Sequence, residues 1–497
     1  MKVPVVELKK ICKSFSGNRV LNQIDLSVFP GEILCMVGEN GSGKSTIIKI
    51  ISGVYQADEG SISIGGADVS KMSPVQSIQS GIQVIYQDFS VFPNLTVAEN
   101  IALSTQIIEN RTWVNWRQMR EMAQKSLTAL GINLDPDLEV GSLPVAQKQI
   151  VAIARAILQD ARLIIMDEPT TALTQKEIDR LYQIINGLSS RGIAVIFVSH
   201  KLDEVFKVCQ RIVVIRNGEK VIDEPVETFD KEKLVYYMTG TEIEESGFSY
   251  GGKQAASKLK VDRLCLDECF QDVSFDVAPG EILAITGQLG SGRTELAKTL
   301  FGVMPATSGD IFVNQGKAEI QNIADALRYK IAYLPEDRLS EGLFMSRPVK
   351  HNIISTIVDK LVSRIGTLDE AGVNKEAARW IKRLNVNTKS IEAYASTLSG
   401  GNQQRLVLGR WLAAEPEILI LNCPTVGVDV KSKSEIHKII KELATQGLTV
   451  LLISDDIGEI MTTSNRVIVM NNGAMVFFGN TEETTQDELS RLITESA

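Results

Sequence analysis

A glycine-rich segment near the N-terminus has the residue types that bind phosphate groups. Gly38-Glu39-Asn40-Gly41-Ser42-Gly43-Lys44-Ser45-Thr46 follows an apolar run and opens a helical pattern. Glycines let backbone N–H groups turn inward around phosphates, and a helix N-terminus adds positive potential. We therefore expect Lys44 to contact the β- and γ-phosphates of ATP, and the hydroxyl of Ser45 to hold Mg²⁺.

Three further polar positions could complete the chemistry of ATP hydrolysis. Asp167-Glu168 follows the apolar run 163–166, and a carboxylate at a strand end can approach a metal ion. We expect Asp167 to bind Mg²⁺ and Glu168 to polarise the attacking water. Gln87 and His200 also follow apolar runs, and either could simply end a strand. Because the glycine-rich loop and the acidic pair are also present, Gln87 is expected to contact the metal ion and water, and His200 is expected to contact the γ-phosphate.

The same pattern occurs twice along the chain. Pro30-Gly31-Glu32-Ile33-Leu34 recurs 249 residues later as Pro279-Gly280-Glu281-Ile282-Leu283. Asp167 aligns with Asn422 at an offset of 255, because the second copy has six extra residues between these blocks. A polar, Gly/Ser-rich stretch lies between the copies, as a linker should. The simplest interpretation is a first domain, a linker and a second domain at 1–240, 241–258 and 259–497.

Each copy is expected to form an α/β domain. Short apolar runs alternate with helical patterns, which favours a mostly parallel sheet with helices on both faces. The polar region 94–140 is expected to form a more helical subdomain. The segments predicted as buried strands are 33–37, 163–166, 194–198 and 212–215, and a helix is predicted over 46–51.

Composition excludes several classes of protein. No apolar run approaches the ~18 residues that span a bilayer, and the N-terminus lacks a signal-peptide core, so a cytoplasmic location is expected. The formal charge of −9 argues against a nonspecific nucleic-acid binder. The six cysteines are expected to be reduced and buried. Cys265 and Cys269 lack a second Cys/His pair nearby, which disfavours zinc.

The two copies depart from the pattern at complementary positions. The first copy keeps its glycine-rich loop and acidic pair but has Leu143-Pro144-Val145-Ala146-Gln147 where the second has Leu398-Ser399-Gly400-Gly401-Asn402. The second copy has Arg293 in place of the loop lysine and Asn422-Cys423 in place of the acidic pair. Head-to-tail pairing of the copies would therefore collect the intact parts in one site.

These elements resemble the ATP-binding-cassette ATPases, over essentially the whole chain and twice. The resemblance implies that two cassettes close head to tail, with each nucleotide between one copy's glycine-rich loop and the other copy's signature segment, here 398–402. Phe15 would stack on adenine in the first copy. No aromatic residue aligns with it in the second copy, where the offset of 249 gives Leu264 and the loop is expected to be shorter. Site one would contain Lys44, Ser45, Gln87, Asp167, Glu168, His200, Ser399, Gly400, Gly401 and Asn402. Site two would contain Gly287, Gly290, Gly292, Arg293, Thr294, Glu336, Asn422, Cys423, Asp455, Pro144, Val145 and Ala146.

Site two is expected to be catalytically poor. A planar arginine fork does not replace a lysine point charge, and Asn422 is neutral where Mg²⁺ prefers a carboxylate. Cys423 is a poor general base, and Pro144 has neither an N–H nor a hydroxyl group. Loss of a positioned general acid or base typically lowers the reaction rate by a factor of ~10²–10⁴. We therefore expect ATP hydrolysis at site one and static ATP binding at site two.

Three motifs are similar to those of the sugar-import subfamily, in which one chain carries both cassettes. They are Gly290-Ser291-Gly292-Arg293-Thr294-Glu295-Leu296, then Tyr333-Leu334-Pro335-Glu336-Asp337-Arg338 followed by Glu341-Gly342-Leu343, and Leu398-Ser399-Gly400-Gly401-Asn402-Gln403-Gln404. The resemblance implies an ATPase of ribose, galactose or xylose import at the cytoplasmic face of the inner membrane. Its partners would be two permease subunits, docked on the helical regions after Gln87 and Glu336, and an extracytoplasmic solute-binding protein. The subfamily usually has an Asp-Glu pair and a nearby arginine where this chain has Asn422-Cys423 and Val426.

Two alternatives remain open at this point. A nucleoside or signal-molecule importer would have the same architecture, and fold does not separate it from sugar import. A soluble, ribosome-associated twin-cassette protein usually has a long charged helical linker and two intact sites. The short linker and the altered second site make this alternative less favoured.

Overall fold

The computed structural model describes residues 3–15, 17–69, 71–86, 90–108, 113–170, 173, 175–199, 201–241, 256–363 and 366–494. The chain divides into two compact units, Met1–Ile243 and Glu244–Ala497. Most of the predicted linker lies outside the described residues, so its boundaries stay a prediction. Each unit is an α/β domain, as the alternating apolar and helical patterns predict.

The first unit contains strands and helices in alternation. Its described strands are β1 Val6–Phe15, β2 Asn18–Val28, β3 Ile33–Val37, β4 Glu59–Ile64, β5 Ala67–Val69, β6 Ile82–Ile85, β7 Leu163–Asp167, β8 Ala194–Val198, β9 Arg211–Arg216 and β10 Glu219–Pro225. Its described helices are α1 Lys44–Ile51, α2 Pro74–Gln79, α3 Val97–Ile108, α4 Trp116–Ala129, α5 Val145–Leu158, α6 Gln175–Ser190, α7 Leu202–Val208 and α8 Lys231–Thr239.

The main sheet of the first unit has the order β10-β9-β3-β8-β7-β6. All its neighbouring strands run parallel except the edge pair β9 and β10. The residues of β3 and β8 are buried throughout, which explains their uninterrupted apolar runs. Because the carboxyl ends of parallel strands lie at one edge, the polar residues that follow β3, β7 and β8 leave the sheet on the same side.

A second, antiparallel sheet of order β2-β1-β4-β5 packs its apolar residues on the main sheet of this unit. The apolar runs considered above did not predict this sheet. Its β1 strand alternates buried and exposed residues only partly, because bulges interrupt its pairing with β2 and β4. Helix α1 begins at Lys44, two residues before the predicted start, because Gly43 already occupies the N-cap position.

The region predicted to be more helical contains α3 and α4, which pack on α5 around their own apolar core. Its buried centre includes Ile101, Leu127 and Val151, each at 0% exposure. This cluster is separate from the core beneath the antiparallel sheet. The first unit therefore carries a helical subdomain at the N-terminal end of α5, where Pro144-Val145-Ala146 lies.

The second unit repeats this order of elements. Its described strands are β11 Leu259–Leu266, β12 Phe270–Val277, β13 Ile282–Gly287, β14 Ser308–Val313, β15 Gly316–Ala318, β16 Ile331–Leu334, β17 Ile418–Asn422, β18 Thr449–Ile453, β19 Arg466–Asn471 and β20 Ala474–Asn480. Its described helices are α9 Arg293–Leu300, α10 Ile323–Arg328, α11 Val349–Ile354, α12 Glu370–Arg383, α13 Gly400–Ala413, α14 Val430–Thr445, α15 Ile457–Thr463 and α16 Gln486–Thr494.

The second unit also has one mostly parallel sheet, of order β16-β17-β18-β13-β19-β20, and one antiparallel sheet, of order β12-β11-β14-β15. Strand register corrects one sequence alignment. Cys12 pairs with Glu59, and Cys265 pairs with Ser308. Leu264 therefore corresponds to Ile11 and is buried, so its alignment with Phe15 was wrong. A tight turn at 267–269 stands near the position of Phe15, because the second hairpin is shorter.

The cysteines are reduced, but the expectation that all are buried was partly wrong. Cys12, Cys35, Cys209 and Cys423 are buried, whereas Cys265 and Cys269 are half-buried. The two exceptions lie at the end of β11 and in the turn that follows it, where the hairpin reaches solvent. Across the described ranges, no helix combines the length and apolar character needed to cross a bilayer.

Candidate functional site

The glycine-rich loop of the first unit joins β3 to α1, as predicted, and its glycines are sterically required. Gly38 has φ 152°, and a Cβ there would lie 2.0 Å from the carbonyl oxygen of Ile215. Gly43 has φ 113°, and a Cβ there would lie 2.5 Å from Leu21 Cδ2. Larger residues at either position would push the loop away from β9 or β2. The loop therefore depends on glycine for its shape.

Polar groups of this loop are arranged to bind an anion. Lys44 Nζ donates hydrogen bonds to the carbonyl oxygens of Gly38 and Glu39, at 2.7 and 2.9 Å, so its charge lies over the loop. Ser42 Oγ is buried and has no hydrogen-bond partner among the described residues. Asn40 and Ser45 are exposed and Thr46 is half-buried. A lysine charge and an unpartnered hydroxyl fit the phosphates of ATP.

The acidic pair lies within electrostatic range of this loop. Asp167 ends β7, and burial raises its pKa, as does the charge of Glu168, while Lys44 and Lys49 partly offset the rise. Glu168 has φ 49°, and its N–H donates to the carbonyl oxygen of Val198 at 2.9 Å. This left-handed conformation is uncommon for a residue other than glycine, and such residues are frequent at functional sites. Carboxylate and hydroxyl oxygens suit Mg²⁺, so Asp167 and Ser45 fit the metal role.

Two predicted catalytic residues, Gln87 and His200, lie outside the described residues, so their roles stay predictions. The structure adds a residue that the sequence analysis missed. The buried carboxylate of Glu204 accepts hydrogen bonds from Thr170 Oγ1 at 2.6 Å and from Ser199 Oγ at 2.8 Å. Thr170 follows Glu168 closely and Ser199 precedes His200. Glu204 therefore ties together the two segments that carry these residues.

The same bond pattern recurs in the second unit, which shows what signal could have revealed it. Glu459 lies 255 residues after Glu204 and accepts from Thr425 Oγ1 at 2.9 Å and from Ser454 Oγ at 2.5 Å. Burial raises the pKa of Glu459, but the hydrogen bond and charge of His437 outweigh burial and lower it overall. Acidic residues that keep the repeat offset were thus a usable signal.

The loop of the second unit keeps its shape but not its lysine. Gly287 and Gly292 have φ 157° and 91°, and a Cβ there would lie 2.3 Å from the carbonyl oxygen of Met470 and 2.6 Å from that of Cys269, respectively. Ser291 Oγ is buried without a hydrogen-bond partner among the described residues, like Ser42 Oγ. The buried Arg293 donates to the carbonyl oxygen of Ser454 at 3.3 Å. The second unit therefore keeps the shape of the phosphate-binding loop. The guanidinium of Arg293, however, bonds to the residue that follows β18.

The acidic position of the second unit is chemically inert as a base. Asn422 is 0% exposed, and its Nδ2 donates to Tyr333 Oη at 3.2 Å. Cys423 repeats the backbone of Glu168, with φ 48° and an N–H bond to the carbonyl oxygen of Ile453 at 2.9 Å. Burial raises the pKa of the Cys423 thiol to about 12, and the charge of Asp455 adds to the rise. The thiol is therefore neutral at physiological pH and does not take a proton from water.

The signature segment of the second unit begins helix α13. Ser399 is its exposed N-cap residue, and Asn402 Nδ2 donates a hydrogen bond to Ser399 Oγ at 2.8 Å. A Cβ at Gly400 would lie 3.1 Å from the carbonyl oxygen of Gly427, and one at Gly401 would lie 2.1 Å from Ser432 Oγ. These glycines therefore let α13 pack tightly on the segment after β17.

The corresponding segment of the first unit lacks these features. Pro144 is the N-cap residue of α5 and makes no side-chain capping bond. Val145 and Ala146 are half-buried and carry side chains where the second unit has glycines. Phe15, the predicted adenine contact, ends β1 at 37% exposure and packs edge-on against Tyr55 with ring centroids 5.2 Å apart. Phe15 is thus accessible to a flat ligand.

Comparisons with known proteins agree with this geometry. The family model described as "ABC transporter" matches residues 21–171 and again 270–426. The ribose import ATP-binding protein of Clostridium perfringens is 38% identical over 493 residues, which cover 99% of this chain and 98% of that protein. A ribose import ATP-binding protein of Geobacillus kaustophilus is 38% identical over 491 residues, with 99% of each chain covered.

A Pseudomonas savastanoi relative named for ribose/galactose/methyl galactoside import is 37% identical over 488 residues, covering 98% of this chain and 93% of that protein. The family match occurs once in each unit and includes both glycine-rich loops, both acidic positions and both signature positions. The repeated site geometry and these matches together show that the chain belongs to the ABC transporter family. It is one of the ATP-hydrolysing proteins of that family, with two cassettes in tandem.

Proposed function

We propose that this chain is the ATP-hydrolysing subunit of an importer for a monosaccharide of the ribose, galactose or xylose type. The observation that carries the proposal is the match over nearly the full length of both chains to proteins named for ribose import. The two units together contain the residues that ATP hydrolysis requires. The first unit keeps the glycine-rich loop and the acidic pair, and the second unit keeps the signature segment. Proteins of this family hydrolyse ATP with Mg²⁺ as the metal cofactor.

We propose that site one is shared by the two units. Lys44, Ser45 and Asp167 of the first unit would hold the phosphates and Mg²⁺, and Glu168 would polarise water. Ser399 and the N–H groups of the 400–402 segment would complete the site from the second unit when the two units close head to tail. Support comes from the complementary losses, because neither unit has a full set of functional groups by itself. ATP binding would then favour the closed arrangement.

We propose that site two binds nucleotide without hydrolysing it. The retained shape of the phosphate-binding loop supports binding, since Ser291 Oγ is buried and unpartnered among the described residues, as in the first loop. The neutral thiol of Cys423 and the buried, Tyr333-bonded amide of Asn422 argue against catalysis. Site two would thus stabilise the closed form while site one turns over.

We propose that two permease subunits dock on an exposed aromatic residue in each unit. Phe92 is 54% exposed, and its N–H and carbonyl groups bond to the buried side chain of Asn100 at 2.8 and 2.9 Å. Phe344 is 56% exposed and bonds in the same way to Asn352, at 2.9 and 3.1 Å. A rigid loop that presents an apolar ring is suited to a partner helix. An extracytoplasmic binding protein would deliver the sugar to the permease, with this chain at the cytoplasmic face.

In the second unit this loop is connected to the signature helix. Arg410 of α13 donates to Asn352 Oδ1 at 2.8 Å and to the Asn352 carbonyl oxygen at 3.1 Å. Its guanidinium lies 4.9 Å from the centroid of the Phe344 ring, and burial lowers its pKa to about 10. A partner bound to Phe344 would therefore be linked to α13, whose N-cap residue is Ser399, through Arg410. The side chain of Arg410 contacts both the Phe344 ring and Asn352.

The test is ATP hydrolysis by the assembled transporter in membranes, with its binding protein loaded in turn with ribose, galactose, xylose and a nucleoside. Stimulation by one of the sugars supports the proposal, and stimulation by the nucleoside alone would assign the alternative importer class. Phe92→Ala and Phe344→Ala should each weaken co-purification with the permease. Tyr236→Ala, which removes an aromatic ring 47% exposed on α8, is the matched control.

A further inference from the structure

Arg338 lies in a rigid turn of the second unit. The turn Arg338–Gly342 has π-helical hydrogen bonding and follows β16. Asp337 caps it, because its Oδ1 accepts from the N–H groups of Leu339 and Ser340 at 2.9 and 3.2 Å, and its Oδ2 accepts from Ser340 Oγ at 2.6 Å. Such a π-turn is uncommon and often occurs at functional sites. The cap restrains the direction in which the Arg338 side chain leaves the backbone.

The guanidinium of Arg338 joins three separate elements of this unit. Its Nη1 donates to the carbonyl oxygen of Val426 at 2.8 Å, and its Nη2 donates to that of Gly427 at 3.2 Å. Its Nε lies 3.4 Å from Gln403 Oε1 on α13. Gln403 Nε2 in turn donates to the carbonyl oxygen of Ala395, in the turn that leads to the signature segment. The planar guanidinium of arginine can donate to all of these acceptors at once, whereas the ammonium group of a lysine reaches fewer of them.

The signature glycine packs directly on this contact. A Cβ at Gly400 would lie 3.1 Å from Arg338 Nη2 and 3.1 Å from the carbonyl oxygen of Gly427. Gly427 has φ 68°, and a Cβ there would lie 3.2 Å from Arg338 Nη1. Loss of the guanidinium would remove the support on which the first turn of α13 rests. The position of Ser399 at the head of that helix would then be less restrained.

The two copies differ at this position in a way that fits a role for the signature segment. The first copy has no arginine between β6 and Phe92, in the stretch 86–91 that corresponds to 335–343 and is three residues shorter. The first copy is also the one with Pro144-Val145-Ala146 in place of Ser399-Gly400-Gly401. Arginine therefore occurs in the copy that keeps an intact signature segment.

We propose that Arg338 is a positioning residue that holds the Ser399-Gly400-Gly401 segment against the 426–427 turn, in the orientation that hydrolysis at site one requires. The inference rests on the shared site of the proposed function. Arg338 acts through the signature segment and does not itself react with ATP. Its removal should therefore lower turnover and leave nucleotide binding to the first loop intact.

The experiment compares Arg338→Gln, Arg338→Lys and Arg338→Ala in the assembled transporter. A misplaced catalytic group costs about 10²-fold in rate, so we expect kcat to fall by about that factor in Arg338→Gln. Binding of ATP by the isolated chain should change less than about threefold. Arg338→Lys should remain impaired, and free guanidinium ion should restore part of the turnover of Arg338→Ala. Arg328→Gln on α10 is the matched control, because Arg328 is a largely exposed arginine paired with Asp325.

Two readouts separate positioning from mere stability. If Arg338 only stabilises the fold, thermal melting of the variants should fall while kcat measured well below the melting temperature stays near that of Arg328→Gln. That result, or wild-type turnover in Arg338→Lys, would overturn the inference. Ser399→Ala is measured in parallel. If Ser399→Ala keeps full turnover, the shared site itself fails. If Ser399→Ala loses turnover and Arg338→Gln does not, only the role of Arg338 fails.

Discussion

Asn402 holds the hydroxyl group of Ser399 in place, since Asn402 Nδ2 donates to Ser399 Oγ at 2.8 Å. The Oδ1 of the same amide accepts from the N–H of Asn387 at 2.7 Å, so Asn402 is itself fixed from the other side. Because Ser399 Oγ is the acceptor in this bond, its hydroxyl proton points elsewhere. This arrangement leaves the hydroxyl proton of Ser399 available for the donor role that we propose for it at site one.

Asn402→Ala should lower kcat for ATP hydrolysis by about fivefold, because one neutral hydrogen bond contributes roughly 1 kcal/mol to the orientation of Ser399. The measurement is steady-state ATPase activity of the membrane-reconstituted transporter. Gln147→Ala is the matched control, since Gln147 has the counterpart position in the first copy, 255 residues earlier. Equal losses in the two variants would contradict the assignment of the active signature segment to the second copy.

Glu168→Gln should abolish steady-state hydrolysis, with a loss of about 10²–10⁴-fold, because it removes the group that we propose polarises the attacking water. Cys423→Ala should leave turnover nearly unchanged, because burial raises the pKa of that thiol to about 12 and it already takes no proton. Both variants are compared in the same reconstituted system. Near-normal turnover of Glu168→Gln would refute the catalytic role of site one.

Glu204→Gln should reduce kcat by roughly 10–100-fold, because one amide oxygen replaces the two carboxylate acceptors that orient Thr170 and Ser199, much as partners behind metal ligands do. Glu459→Gln makes the same change in the second unit and should lower kcat less, because its partner Thr425 lies beside the 426–427 turn and not beside the acidic pair Asp167-Glu168. Thermal melting is recorded for both, because each glutamate is buried. A loss of turnover in Glu459→Gln as large as in Glu204→Gln would contradict the special role of Glu204 at site one.

Glu417→Gln should reveal a pH-dependent contribution to stability. Hydrogen bonds from Lys258, at 2.5 Å, and Lys330, at 2.7 Å, lower the pKa of Glu417 from 4.5 to about 2. A carboxylate with a depressed folded pKa stabilises the fold above its unfolded pKa, and this stabilisation is lost as the pH falls through about 2.

The melting temperature of Glu417→Gln should therefore lie below that of the wild type at neutral pH, and the gap should close between pH 4.5 and about 2. The expected effect is at most ~1 kcal/mol, because the ion pairs are partly exposed. The exposed neighbour Glu415 provides the control variant Glu415→Gln. A gap that stays constant with pH would show that the loss comes from packing and not from charge.

Local spacing was enough to predict several parts of this protein. The glycine-rich loops, the buried parallel strands and the acidic position of the first unit follow from short runs of residues whose roles depend on near neighbours. Gly38 and Gly43, for example, are required by backbone conformations that only a few residues tolerate. The complementary losses of the two copies were also evident, because the repeat aligns them position by position.

Contacts between distant segments could not be predicted in this way. The bonds of Glu204 to Thr170 and Ser199 join residues up to 34 positions apart, and those of Arg338 to Val426 and Gly427 join residues up to 89 apart. The alignment of Leu264 with Phe15 failed for the same reason, since strand pairing and not residue count determines which positions correspond.

The amino-acid sequence by itself determined the chemistry available to each copy: a lysine loop with an acidic pair in the first, and a signature segment with an arginine loop and a thiol in the second. Only the tertiary structure decided that Asn422 is fully buried against Tyr333, that Cys423 is neutral, and that Ser399 is oriented by Asn402. The physical reason is that residue types follow from the chain alone, whereas burial, pKa and hydrogen-bond partners arise only when distant segments pack together.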